Sequence, residues 1–287
     1  MHDLAVYGTQ VSAAGAIAFR TAAAGALAFA FGGAPLGVLL IARRMSLAGD
    51  ALSHGILPGV AVAYMIAGPN PLALTLGALA AALTVTLLSS LVARGRRLPE
   101  DAALAVFYLS ALAVAVLLIG RHAGPDALEA LLFGSTAALD GGALVLAATA
   151  ATATLVGLAL FIRGFVAESV DPDFVRAIGQ RGGWLHLMLM TLVALNLVAG
   201  YRAFGALMTV GLMIIPAAAA RFWARDYAGQ AGWAIGLSAL ASGAGLVVAG
   251  RLGVEPGAVM TLAAALLFGL SGLVGVNGGV WRSRRLA

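Results

Sequence analysis

The 287-residue chain has no cysteine and no lysine, and only 10% of its residues are charged. Without cysteine there is no disulfide, no thiolate metal site and no cysteine nucleophile. Any metal held here must use nitrogen and oxygen donors. Without lysine there is no Walker A phosphate loop, since G-x-x-x-x-G-K-[ST] needs its lysine, and no Schiff-base chemistry. The chain also lacks G-x-S-x-G and H-E-x-x-H, so rhomboid-like and metalloprotease readings have no residues to stand on. A soluble domain is about 45–50% apolar and about 25% charged. This chain is 62% hydrophobic, so neither a soluble fold nor disorder, which needs low hydrophobicity, fits it. His2 and Asp3 open the chain without a basic n-region, so no cleaved leader is expected.

What is present is a series of long apolar blocks separated by charges. They fall at 20–42, 49–67, 71–93, 102–120, 141–162, 183–200, 203–220, 228–250 and 256–276. Blocks of about 18–23 residues cross a hydrocarbon core of about 30 Å as helices. Barrel strands would be shorter and would alternate with polar residues. The expectation is an all-α polytopic membrane protein of eight or nine transmembrane helices, in one domain over 1–287. Two places are ambiguous: 8–19 reads as an extra interfacial helix, and 203–220 as a re-entrant segment or tight hairpin with its predecessor.

All 17 basic residues are arginine, and the net charge is +5. They sit between the apolar blocks, which is not the pattern of a nucleic-acid surface. Threaded through nine spans, Arg43, Arg44, Arg94, Arg96, Arg97, Arg163, Arg176, Arg181, Arg221, Arg225, Arg282, Arg284 and Arg285 share one side. Only Arg20, Arg121, Arg202 and Arg251 fall on the other. The positive-inside bias puts the larger group in the cytoplasm, the N-terminus outside and the C-terminus inside. The glycines at small-residue spacing, such as Gly236, Gly243 and Gly245, read as ordinary helix packing.

The largest cytoplasmic loop, 163–182, breaks the apolar pattern. Asp171-Pro172 reads as an N-cap followed by proline in the first turn. Phe174, Val175 and Ile178 form one apolar face, and Gly179 is a stop. A short amphipathic helix of this kind serves as a lipid-surface anchor or a docking element, and its pattern alone leaves both open.

Ionisable residues inside a membrane span are costly, so each one is a functional candidate. Asp50 and His54 are four apart and share a helix face. Counting from Arg44, His54 lies ~15 Å into the bilayer and Asp50 ~9 Å. A carboxylate and an imidazole together suit a divalent transition metal rather than soft Cu(I). Two ligands do not complete a shell, so water, Ser46, Ser53 or a second copy of the chain would supply the rest. The alternative is an internal Asp–His clamp between helices. Pro58, four residues past His54, removes a backbone hydrogen bond and kinks the helix, as helices lining transport cavities do. Pro216 is expected to kink a later helix. His186 reads as an interfacial packing or snorkelling residue. His122, Asp126 and Glu129 read as a solvated outer loop, Glu100-Asp101 and Glu255-Pro256 as helix starts, and Asn196 as interhelical glue.

RRMSLAGDALSHGILPGVAVAY at 43–64 resembles the signature of permease subunits of zinc/manganese ABC importers. The resemblance continues in order: EDAALAVFY at 100–108, LLFGSTAAL at 131–139, DPDFVRAIGQ at 171–180, YRAFGALMTVGLMIIPAAAAR at 201–221 and GVEPGAVMTLAAALLFGL at 253–270. It implies a fold similar to vitamin B12 and siderophore importer permeases. It implies a homodimer in the bacterial inner membrane, two separate cytoplasmic ATPase subunits carrying ATP, and an extracytoplasmic metal-binding protein. The chain itself would then be no enzyme and would bind no cofactor. Its substrate would be zinc first, or manganese or iron, passing Asp50 and His54. Residues 171–180, including Asp171, Asp173, Phe174, Ile178 and Gly179, would be the coupling helix seated on the ATPase. The competing classes are a chelate or siderophore permease, a stand-alone proton-coupled carrier and a membrane scaffold.

Overall fold

The computed structural model describes residues 2–94, 98–122, 141–171, 175, 182–277 and 279. Among these, every regular element is a helix. They are α1 (His2–Ala42), α2 (Ala48–Gly55), α3 (Leu57–Ala67), α4 (Pro71–Arg94), α5 (Glu100–His122), α6 (Gly141–Val170), α7 (Gly182–Phe204), α8 (Ala206–Ala220), α9 (Tyr227–Leu252) and α10 (Pro256–Val274). Eight spans among the described residues are long and apolar enough to cross a membrane, with α2 and α3 counted as one.

Helix contacts show that consecutive passes run antiparallel. At one end Arg43, just past α1, meets Glu168 of α6 and His186 of α7. The same end holds Ser90 of α4 and Glu100 of α5. At the other end Arg202 of α7 reaches Thr75 of α4, and Gly257 of α10 abuts the Phe204 carbonyl. The ends of α1 and α8 converge beside the start of α9, where Ala42, Arg221 and Tyr227 line a cavity of about 190 Å³. The described arginines 43, 44, 221 and 225 therefore lie at one end of the bundle, as the threading of the sequence expects.

The core lies where α1 and α8 cross. Phe29, Leu36, Leu39 and Leu40 of α1 and Leu212 and Met213 of α8 are fully buried. Gly37 makes the crossing close: a Cβ there would collide with the Met213 carbonyl. No described residue of α8 is exposed. At 15 residues, α8 is about 22 Å long at 1.5 Å per residue, too short to be a lipid-facing span. It serves because protein surrounds it. Gly205, at φ 81°, joins α7 to α8 in a single residue, a conformation that glycine adopts without a Cβ clash. The tight hairpin expected at 203–220 is thus present, and the full-length span there is not.

Three sequence expectations need correction. Residues 8–19 are not a separate interfacial helix, because α1 runs unbroken from His2 to Ala42. Arg163 does not end its span. The helix continues to Val170 because Phe165 is completely buried and Glu168 has a buried partner, while Arg163 itself points outward. Gly236 and Gly243 have open space around them, and only Gly245 of that set packs, against the Met260 backbone.

Proline has two different effects. At α2–α3 the helix breaks at Ile56, and Pro58 occupies the first turn of the new helix. Pro58 has no N–H to offer the His54 carbonyl. By contrast, α8 runs on through Pro216. The carbonyl that Pro216 leaves without its usual partner is that of Leu212, and the Ser238 hydroxyl of α9 donates to it at 3.4 Å.

Candidate metal pathway

The chain reaches α2 through a tight turn. Arg44 adopts a left-handed conformation, φ 61°. Its N–H bonds the Ile41 carbonyl and the Met45 N–H bonds the Leu40 carbonyl, which closes α1 in the manner usually left to glycine. Helix α2 then starts at Ala48. Its inner face is buried through Ala48, Gly49, Ala51, Leu52 and Ser53. The 3.6-residue period puts Asp50 and His54 on the opposite face.

His54 Nε2 and Asp50 Oδ1 are 3.7 Å apart, and their side chains are 34% and 56% exposed, respectively. That is too long for a hydrogen bond, so both lone-pair donors are free to act. Two donors each about 2.1 Å from one ion lie at most about 4 Å apart, so the pair can bridge a single cation. The imidazole is also steadied from α5. Tyr108 stacks on it, ring centroids 6.4 Å apart with an interplanar angle of 28°. Tyr108 closes the EDAALAVFY segment, and the sequence assigns it no role. Eight residues from the start of α5, it had no periodic signal to mark it.

The auxiliary ligands divide. Ser46 is exposed, four residues before Asp50. Ser53 is buried, and its hydroxyl donates to the Asp50 backbone carbonyl at 2.7 Å, so it faces the core rather than the pair. Among the described residues no group of three His, Asp or Glu side chains comes together. The chain therefore presents a two-donor half-site open on its surface.

The second cluster surrounds His186, which the sequence leaves as either a packing or a snorkelling residue. His186 is not a snorkelling residue: it is 9% exposed and lies between charges. Arg43 Nη1 is 3.1 Å from its Nδ1, and Glu100 Oε1 is 2.7 Å from its Nε2. Ser90 Oγ lies 3.1 Å from the same Nε2. Arg43 also donates to Glu168 at 2.9 Å and to Ser169 at 3.0 Å. Glu100 is thus more than a helix start. The sequence carried no sign of this, because the partners are separated by 125 to 143 residues in their bonds to Arg43.

Other expected sites are placed as follows. Asn196 links two helices as expected, donating to Thr154 at 2.6 Å and to the Leu192 carbonyl at 2.9 Å. Glu255 holds the N-cap position of α10, with Pro256 in its first turn. Asp171 is exposed, and its carbonyl accepts from the helical, fully buried Val175. Asp173, Phe174, Ile178 and Gly179 lie outside the described residues, as do Asp126, Glu129 and the 131–139 segment.

A bundle of antiparallel apolar helices with a polar pair exposed on one broken helix defines a class: a polytopic membrane permease. Residues 17–275 match the ABC 3 transport family, and the chain belongs to it. It is 30% identical over 236 residues to the manganese import system permease protein ScaB of Streptococcus parasanguinis, covering 82% of this chain and 83% of that one. It is also 30% identical over 240 residues to the high-affinity zinc uptake system membrane protein ZnuB of Haemophilus influenzae, covering 83% and 90%. Among solved structures, PsaBC from Streptococcus pneumoniae in complex with Fab superposes with a TM-score of 0.79 at 26% identity, over 92% of this chain and 94% of that one. An inward-facing transporter described as of metal-chelate type shares the fold, with a TM-score of 0.69 at 17% identity, over 88% and 84%.

Proposed function

We propose that this chain is the permease subunit of an ATP-driven importer of a divalent transition metal, manganese or zinc, in a bacterial inner membrane. The observation that carries this reading is the exposed Asp50–His54 pair in the first half of the Ala48–Ala67 span. A carboxylate at that depth cannot face lipid cheaply. It must face a water-filled path or another subunit. A second copy of the chain, facing the first across this pair, forms the path as a homodimer and completes the shell with its own donors or with water. Relatives named for manganese and for zinc both support a hard-to-borderline cation, which imidazole and carboxylate suit.

ATP is hydrolysed on separate cytoplasmic subunits, and an extracytoplasmic binding protein delivers the ion. Residues 171–180 seat the ATPase, with Asp171, Asp173, Phe174, Ile178 and Gly179 forming the contact helix and its ends. Their place between α6 and α7, at the arginine-rich end of the bundle, supports this. The N-terminus then lies outside and the C-terminus in the cytoplasm.

The test is radiometal uptake with Zn, Mn and Fe in parallel, in cells lacking their own importers and supplied with this chain, its ATPase and its binding protein. Asp50→Asn and His54→Ala are expected to abolish uptake of one metal at normal membrane levels of the protein. Normal transport by both variants would make the pair a clamp. Uptake of a metal chelate but of no free metal would move the substrate to the chelate class. Uptake without the ATPase would make the chain a carrier in its own right.

A further inference from the structure

The network around His186 is built differently from the metal pair. Arginine donates hydrogen bonds and accepts none. The 3.1 Å contact from Arg43 therefore requires a lone pair on His186 Nδ1. The proton sits on Nε2, where the Glu100 carboxylate accepts it at 2.7 Å, with the Ser90 oxygen beside it. His186 is thus a neutral imidazole with one nitrogen accepting and the other donating. Arg43 and Glu168 are 7% and 9% exposed at the side chain, so their charges are held in low dielectric. Buried charges of this kind are a poor source of stability compared with apolar packing, yet removing one partner leaves another stranded. They are, however, a strong constraint on relative position.

The location of these residues gives that constraint a use. Glu168 and Ser169 are in the last turn of α6, immediately before 171–181. His186 is in the first turns of α7, immediately after it. Both arms of that loop are therefore tied into one cluster. On the other side, Arg43 precedes the Arg44 turn and α2, with Asp50 seven residues on and His54 eleven. Glu100 opens α5, the helix whose Tyr108 stacks on His54.

We propose that the Arg43–Glu168–His186–Glu100 network is the transmission between the 171–181 loop and the Asp50–His54 pair, with neutral His186 as its positioning residue. Displacement of the loop moves the ends of α6 and α7. The network cannot stretch without stranding a buried charge, so it carries that displacement to Arg43 and α2 on one branch and to α5 on the other. The two branches converge on His54. The inference rests on the importer reading above.

The experiment uses the complete transporter, permease with ATPase and binding protein, in proteoliposomes, and reads metal transported per ATP hydrolysed. His186→Phe fills the space without either nitrogen function. Its complex is expected to assemble and to hydrolyse ATP within about twofold of wild type, while metal per ATP falls about tenfold, a coupling loss in the usual range. His186→Gln, whose amide can accept from Arg43 and donate to Glu100, should stay within about threefold of wild type. Glu100 is partly exposed, so Glu100→Leu tolerates replacement and repeats the test from the other end of the hydrogen bond if His186→Phe fails to assemble. An unchanged ratio in these variants overturns the proposal. So does a proportional loss of hydrolysis and transport, which a purely structural role produces. If wild type itself shows no ATP-dependent metal transport, it is the importer reading that fails.

Discussion

Single residues in this bundle act through the donors and acceptors they bring into an apolar interior. Asn196 is 1% exposed and Thr154 is fully buried. Asn196 bridges Thr154 and the Leu192 carbonyl, and burial at this depth leaves a lost partner hard to replace. Asn196→Ala is expected to destabilise the purified permease by about 1 kcal/mol, since interhelical hydrogen bonds within membranes are worth about 0.6–2 kcal/mol. Adding Thr154→Val should cost less than the two single changes together, because it removes the stranded hydroxyl. Thermal unfolding in detergent checks this, and full additivity would mean the bond contributes nothing. Asn196 was legible from sequence as a polar residue in an apolar span. Its partner was not, since Thr154 lies 42 positions away.

At the scale of the element, proline and glycine decide where helices stop, pass or touch. Pro58 and Pro216 look alike in sequence but end differently. Pro216 has Ser238 to occupy the carbonyl it frees, so α8 continues. At Pro58 the helix breaks two residues earlier, at Ile56. Close contact also holds α3 in place, because Gly59 and Gly77 of α4 leave no room for a Cβ on either. The break leaves His54 in the last turn of α2, where its ring can reach Tyr108. Pro58→Ala offers the His54 carbonyl the regular i+4 N–H in place of its present bond from the α2 C-cap and favours one straight helix. It is expected to lower metal uptake several-fold, about 1 kcal/mol or more in effect, with little loss of folded protein. Uptake equal to wild type would show that the break has no part in transport.

The whole molecule is arranged by the alternation of its passes. Among the described residues nine passes follow if α2 and α3 count as one and the short α8 counts as another. The absence of cysteine makes this directly testable, because any introduced thiol is the only one. Arg225→Cys is expected to react with a membrane-impermeant maleimide only from the cytoplasmic side, and Asn70→Cys only from outside. Labelling of both from the same side would refute the alternation. Labelling with the sides exchanged would keep the fold and invert the assigned orientation.

Chain composition, the lengths of its apolar runs and the distribution of its arginines were enough to define a multi-pass helical membrane protein. These signals are local and additive: each span needs only its own residues to be apolar. The same holds for the Asp50–His54 pair, where an i,i+4 spacing places both groups on one face whatever surrounds them. Burial against other helices is not local. Arg163 and Glu168 are both charged residues of one helix in sequence, and only the packing of α6 against α1 makes one exposed and the other the partner of Arg43. Helix α8 can be short because neighbouring helices, rather than lipid, cover it. His186 became the centre of a network instead of a surface residue because the ends of α1, α4 and α5 converge on it, bringing together side chains as far as 143 positions apart. Tertiary structure alone decided those pairings, since a buried charge is stable only beside its partner and no sequence pattern records which partner that is.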